Sequence, residues 1–159
     1  MVEARERLVE LIHTSGFQAA LVVCGGGSGA VHALLSYSGA SRFVVEAQVP
    51  YSTAALAAYL GMFPSQACSE PTARAMAAKA LERAGELGGK NPLGVACTAA
   101  LKTRRVRRGS DRAFFCFQSL EKIFFQRVEI PEGSRAEQEL FLSNRMLSDL
   151  AKFLAEPEL

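Results

Sequence analysis

The stretch that most constrains the fold is Leu21-Val22-Val23-Cys24-Gly25-Gly26-Gly27-Ser28-Gly29-Ala30. An unbroken apolar run ends in a glycine cluster, and a helix-compatible segment, Ala30 to Ser36, follows directly. The order reads as strand, tight loop, helix N-terminus. Residues without a Cβ let the backbone adopt φ > 0 and let a ligand approach closely. The first amides of a helix lack intrahelical acceptors and carry the positive end of the dipole. The amides of Gly25, Gly26, Gly27 and Ser28 are therefore a candidate site for a phosphate or carboxylate. The loop is neither G-x-G-x-x-G nor a P-loop, because Gly29 is not followed by Lys and Ser/Thr. A plain strand-to-helix turn is the competing reading.

The flanking sequence extends this pattern. Val2 to Thr14 places Leu8, Val9, Leu11 and Ile12 on one helical stripe, ended by Ser15-Gly16. Phe17 to Val23 reads as a strand buried on both faces. After the turn at Ser38-Gly39-Ala40-Ser41, Arg42 to Val49 reads as a second strand, stopped by Pro50. Ser52 or Thr53 caps a helix over Ala54 to Leu60. Ser69 caps another that runs to about Glu86, with Met76, Ala80, Leu81 and Ala84 inward. Gly88-Gly89-Lys90-Asn91-Pro92 breaks the chain before a third strand, Leu93 to Thr98. A basic loop, Lys102 to Arg112, leads to strands at Ala113–Gln118 and Lys122–Ile130, read as an antiparallel hairpin. Ser134 caps a last helix from Arg135 to Leu154, with Leu140, Leu147, Leu150 and Leu154 as its apolar face.

Strands alternating with helices predict a three-layer α/β/α fold with a mostly parallel, mixed sheet and helices on both faces. At 159 residues, 49% of them hydrophobic, the chain is read as one domain, residues 1–159, with enough apolar material for a sizeable core. A net charge of +2 argues neither for nor against a nucleic-acid partner, and with few exposed-looking aromatics the nucleic-acid reading of the basic run is the weakest of its readings. The apolar runs are too short to span a membrane, and the charged N-terminus, Met-Val-Glu-Ala-Arg-Glu-Arg, does not read as a secretory signal. Four dispersed cysteines (Cys24, Cys68, Cys97, Cys116) fit reduced thiols and a cytoplasmic location rather than disulfides or a zinc site. With only two histidines, His13 and His32, no metal site is expected. No cofactor is expected either.

In open α/β sheets ligands bind outside the carboxyl ends of the strands. Three strand ends qualify here: Cys24 to Ser28, Pro50 to Ser52, and Thr98 onward. Their order and spacing, with Leu60-Gly61, Cys68-Ser69-Glu70, Met76-Ala77 and Gly94-Val95-Ala96-Cys97-Thr98, resemble the C-terminal domain of the competence-damage protein CinA. Stand-alone members of that family are nicotinamide-nucleotide amidohydrolases. The resemblance covers nearly the whole chain. It is stronger still to a divergent branch, of unsettled function, joined to a nucleotidylyltransferase-like domain. That branch has a similar G-G-G-S loop, a V-P-Y-S strand end, a C-S turn and an R-G-x-x-R segment, here Arg108 to Arg112.

The resemblance implies site residues position by position. Cys24 stands where the amidohydrolases carry a Ser nucleophile, Tyr51-Ser52 matches their Tyr-Ser turn, and Thr98 matches the Thr of a later loop. Their Lys is replaced by Leu56, and Ala99-Ala100-Leu101-Lys102 replaces a glycine loop. A hydroxyl nucleophile needs a base or a neighbouring cation, and leucine is neither. A thiol whose pKa a helix N-terminus lowers is a partial substitute.

The candidate catalytic residues are thus Cys24 and Thr98. The candidate ligand contacts are Gly25, Gly26, Gly27, Ser28, Tyr51, Ser52 and the arginines Arg107, Arg108, Arg112 and Arg135. Each has a structural alternative: Cys24 as a buried small hydrophobe, Tyr51 as core filler, Thr98 as a strand-end cap, and the basic run Lys102 to Arg108 as a solvated loop. The expected function is binding of a pyridine nucleotide or another phosphate-bearing small molecule without efficient catalysis. The alternative is nicotinamide-nucleotide amidohydrolysis through Cys24. A homodimer and a nucleotidylyltransferase-like partner are the expected protein partners.

Overall fold

The computed structural model describes residues 2–107 and 109–156. Its elements are α1 (Val2–His13), β1 (Gln18–Cys24), α2 (Ser28–Ser36), β2 (Val44–Gln48), α3 (Thr53–Leu60), α4 (Glu70–Glu86), β3 (Pro92–Ala100), β4 (Arg112–Ser119), β5 (Ile123–Glu129) and α5 (Arg135–Ala155). The five strands form one sheet in the order β2-β1-β3-β4-β5. β1 pairs parallel to both β2 and β3, while β3–β4 and β4–β5 are antiparallel. Only β4 therefore runs against the other four. The carboxyl ends of β1, β2 and β3 share one edge, which is what brings the three candidate loops together.

The apolar sequence of β1 follows from burial on both faces. Ala19, Leu21 and Val23 join a core with residues of α1, α2 and α5; Ala20, Val22 and Cys24 join a second core built mainly on α4. Helices thus cover both faces, as the alternating pattern predicts. Gly94 of β3 is what lets α4 lie so close, since a Cβ there would stand 2.2 Å from Ala77 O.

Local signals at the helix ends hold. Ser69 Oγ accepts from the Thr72 amide and Ser134 Oγ from the Glu137 amide, with Glu137 returning a bond to the Ser134 amide. Two expectations are corrected. α2 begins at Ser28 instead of Ala30, capped by Gly27 in the left-handed region (φ 102°) with no side-chain cap of its own. On α5, Leu140 is 54% exposed, and the buried row runs through Leu142, Met146, Leu150 and Phe153. Leu140 lies off that row, and its turn instead buries Gln138 against the loop after β3.

A half-buried ion pair ties β2 to α4: Arg83 donates from Nε to Glu46 Oε2 and from Nη2 to Oε1, the latter at 3.0 Å. The Arg83 hydrogen bond holds the Glu46 carboxyl below its usual range. A carboxylate with a depressed folded-state pKa adds stability above its unfolded pKa, and that stability is lost as pH falls through the folded value. The loss in melting temperature from neutral to acidic pH is therefore expected to be smaller in Glu46→Gln than in wild type. Identical pH profiles by differential scanning calorimetry refute this.

Candidate functional site

The site is the shared carboxyl edge of β1, β2 and β3. Its organising side chain is Arg135, the first residue of α5. Arg135 donates to Gly25 O (3.1 Å), to Lys102 O (3.0 Å) and to the Tyr51 hydroxyl (3.2 Å). One guanidinium thus joins the loops that follow β1, β2 and β3. Tyr51 is otherwise open, 63% exposed, so the core-filler alternative falls. Ser52 caps α3, its Oγ accepting from the Ala55 amide at 3.1 Å.

The glycine loop is packed inward. Gly25 (φ 80°) lies against β3: a Cβ there would come within 2.0 Å of Ala99 O. At Gly26 a Cβ would stand 3.0 Å from Ala99, Leu101 and Leu142 side chains. The lack of side chains here serves contact with β3 and α5.

The amides at the N-terminus of α2 already hold an anion, supplied by the chain itself. Glu139 of α5 accepts from Gly27 N (2.7 Å) and Gly29 N (3.2 Å), and Ser143 Oγ donates to the same carboxylate. A Cβ at Gly29 would stand 2.5 Å from Ser143 Oγ and 3.2 Å from Glu139. The physics anticipated at this helix end is present, a negative charge on unpaired amides at the positive end of the dipole. The occupant is internal, so the Gly27 amide is not open to a phosphate while Glu139 holds it. Ser28 opens α2 with its side chain exposed.

Cys24 and Thr98 are neighbours across β1 and β3. Cys24 is 7% exposed, in the core that contains Leu56, Cys68 and Met76. Burial pushes its thiol up, opposite to the lowering a helix N-terminus was expected to bring. Thr98 is 1% exposed, and its hydroxyl donates to Ala67 O at 2.8 Å, tying β3 to the segment before α4. Cys68 closes the same corner, its thiol reaching Thr98 O and Arg112 O at 3.7 Å each. The Thr98 hydroxyl is thus engaged within the protein at the end of β3.

Arg107 and Arg112 brace their own surroundings. Arg107 Nη1 donates to Leu101 O (2.8 Å) and Asp111 Oδ1 (2.9 Å), closing the basic loop on itself. Arg112 donates to Ser110 O (3.0 Å) and Cys68 O (3.3 Å). Arg108 lies outside the described residues. Lys102, Arg104 and Arg105 are exposed, and together with Arg107 they line a cavity of about 480 Å³ closed by Asp111 and Glu132.

Glu139, Ser143 and Gln138 are the residues that sequence reasoning missed. Gln138 Oε1 accepts from the Lys102 amide, and its Nε2 donates to Asp111 and Pro131 O. The available signal was the presence of polar residues, Gln138 and Ser143, on a helix face that otherwise buries Leu142, Met146 and Leu150.

The class is thereby defined: a three-layer α/β/α domain with a mixed sheet, whose candidate site is assembled from loops at the carboxyl ends of three parallel strands. Among solved structures this is the fold of the competence-damage (CinA) superfamily. A CinA superfamily protein from Enterobacter cloacae matches with a TM-score of 0.80 at 18% identity, over 95% of this chain and 92% of its own. A competence/damage-inducible protein, CihA, from Agrobacterium tumefaciens matches with a TM-score of 0.80 at 21% identity, over 96% of both chains. The competence or damage-inducible protein of Enterobacter asburiae gives 0.80 at 16% identity, over 95% and 98%. At these identities the likeness establishes the fold. No family model matches the chain, and no curated protein matches it. Among the described residues no helix is long and apolar enough to cross a membrane.

Proposed function

We propose that this chain is a divergent CinA-like domain that binds a nucleotide, or another phosphate-bearing small molecule, at the carboxyl edge of its sheet without efficient catalysis. The setting of Cys24 carries this reading. The thiol is buried among apolar groups and shifted away from the thiolate. Leu56, where the amidohydrolases it resembles place Lys, packs in the same core. General-base assistance typically contributes about 10²–10⁴-fold; the Thr98 hydroxyl, on the strand position paired with Cys24, donates to Ala67 O, and the Tyr51 hydroxyl accepts from Arg135. Amidohydrolysis through Cys24 is accordingly the lesser reading.

The ligand's anionic group belongs with the exposed cations Lys102, Arg104 and Arg105, because Glu139 holds the Gly27 and Gly29 amides. Exposed cations attract most strongly at low ionic strength.

The test is calorimetric binding of nicotinamide mononucleotide together with an ammonia-release assay. Expected are salt-sensitive binding that Arg104→Ala with Arg105→Ala weakens, and no turnover by wild type or Cys24→Ala. Turnover that Cys24→Ala abolishes would establish the thiol as nucleophile and overturn the non-catalytic reading. Binding of neither nicotinamide mononucleotide nor inorganic phosphate would sink the ligand assignment.

A further inference from the structure

The opposite edge of the sheet holds a second cavity, of about 510 Å³, at the amino ends of β1 and β2. One wall is the stripe Glu6, Glu10 and His13 on the last turns of α1. The other is Tyr37, Gly39 and Arg42, from the segment that enters β2 through a 3-10 turn at Ala40–Arg42. Two features of this cavity are unsatisfied. His13 is 3% exposed and its Nε2 sits 2.8 Å from Leu34 O. A carbonyl only accepts, so Nε2 carries a proton toward Leu34 O, and Nδ1 is the ring nitrogen left over. That Nδ1 is buried with no partner, a condition that ordinarily costs free energy and calls for a ligand or water. It lies against Gly39 of the cavity wall, where a Cβ would stand 3.1 Å from it. The second feature is charge. Among the described residues none of Glu6, Glu10 and Arg42 enters an ion pair, although all three line the same cavity.

We propose that this cavity is a binding site for a small basic amino acid, that is, a molecule with two ammonium groups and one carboxylate. Two carboxylates and one guanidinium are the mirror of that charge pattern. The ammonium groups lie against Glu6 and Glu10, with one N–H directed at His13 Nδ1 after a small shift of the Gly39 turn. The carboxylate takes the fork of Arg42, a geometry suited to bidentate pairing. The site is independent of the one at the carboxyl edge, since it uses none of the same residues.

The experiment is titration of the full chain with L-lysine and L-ornithine, read by calorimetry and by the ring-nitrogen resonances of the histidines. His32, the only other histidine, is exposed on α2 and serves as the internal reference. Expected are saturable binding and a shift of the His13 Nδ1 resonance with His32 unmoved. Putrescine, which lacks the carboxylate, and glutarate, which lacks the amines, should bind at least about tenfold more weakly. Glu10→Gln and Arg42→Gln should each weaken L-lysine binding by about tenfold, the size of one hydrogen-bonded charge contact. Both substitutions are at exposed positions, so the fold survives them. Absence of binding and of a His13 shift at millimolar L-lysine and L-ornithine overturns the proposal. So does putrescine binding as tightly as L-lysine, or L-lysine binding unchanged in both variants.

Discussion

Glu139→Ala is expected to lower the melting temperature by about 4–12 °C. Two backbone N–H groups and the Ser143 hydroxyl lose a shared carboxylate at once. The three bonds share one carboxylate, so their loss is taken together as about 2–3 kcal/mol, within the range for hydrogen bonds to a charged group, and roughly 1 kcal/mol corresponds to about 2–4 °C for a chain of this size. The variant has a second property that separates a bound anion from ordinary packing. With the carboxylate gone, the Gly27 and Gly29 amides become an open anion site at the head of α2. Inorganic phosphate should raise the melting temperature of Glu139→Ala well above its effect on wild type, where those amides are occupied. Glu139→Gln, which keeps an acceptor oxygen without the charge, should fall between the two. Differential scanning fluorimetry over a phosphate series decides this. A Glu139→Ala protein as stable as wild type, or one indifferent to phosphate, would show that the carboxylate is not what completes the loop.

Gly25→Ala is the second large effect, expected at about 3–5 kcal/mol of lost stability, within the range of severe overpacking and backbone strain combined. The residue sits at φ 80°, and its Cβ would meet Ala99 O at 2.0 Å, a backbone atom of a central strand that cannot rotate away. The loop would have to lift from β3, breaking the Arg135 contact to Gly25 O on the way. Gly16→Ala is the control. It has a similar φ of 88° but nothing within 4 Å of the added carbon, so it isolates the conformational cost of roughly 1–2 kcal/mol. Equal urea midpoints for the two variants would remove the close approach to Ala99 as the reason for glycine at position 25. At Gly25 and Gly26 the missing Cβ makes room for the protein's own β3 and α5.

Much of this molecule is decided within a few residues of chain, and those parts were legible. The apolar run Ala19–Cys24 becomes the body of β1 because both its faces are buried. Ser52, Ser69 and Ser134 cap helices because a hydroxyl three residues before an unpaired amide satisfies it locally. The alternation of such elements requires the layered α/β arrangement, and parallel strands place their ends on one edge. What those ends do to one another is a different matter. Glu139 reaches Gly27 across 112 positions and Arg135 reaches Tyr51 across 84. Whether Arg107 faces a ligand or Asp111, whether Thr98 is open or tied to Ala67, and whether Leu140 is buried depend on packing between elements distant in sequence. The strands, the helices and the positively polarised loop after Cys24 follow from neighbouring residues, because propensity, periodicity and capping act over a turn or two. That the loop's anion is a carboxylate of α5 and that the Cys24 thiol is desolvated come from the packing of distant segments. Electrostatics and burial depend on which groups come to lie within a few ångströms in space.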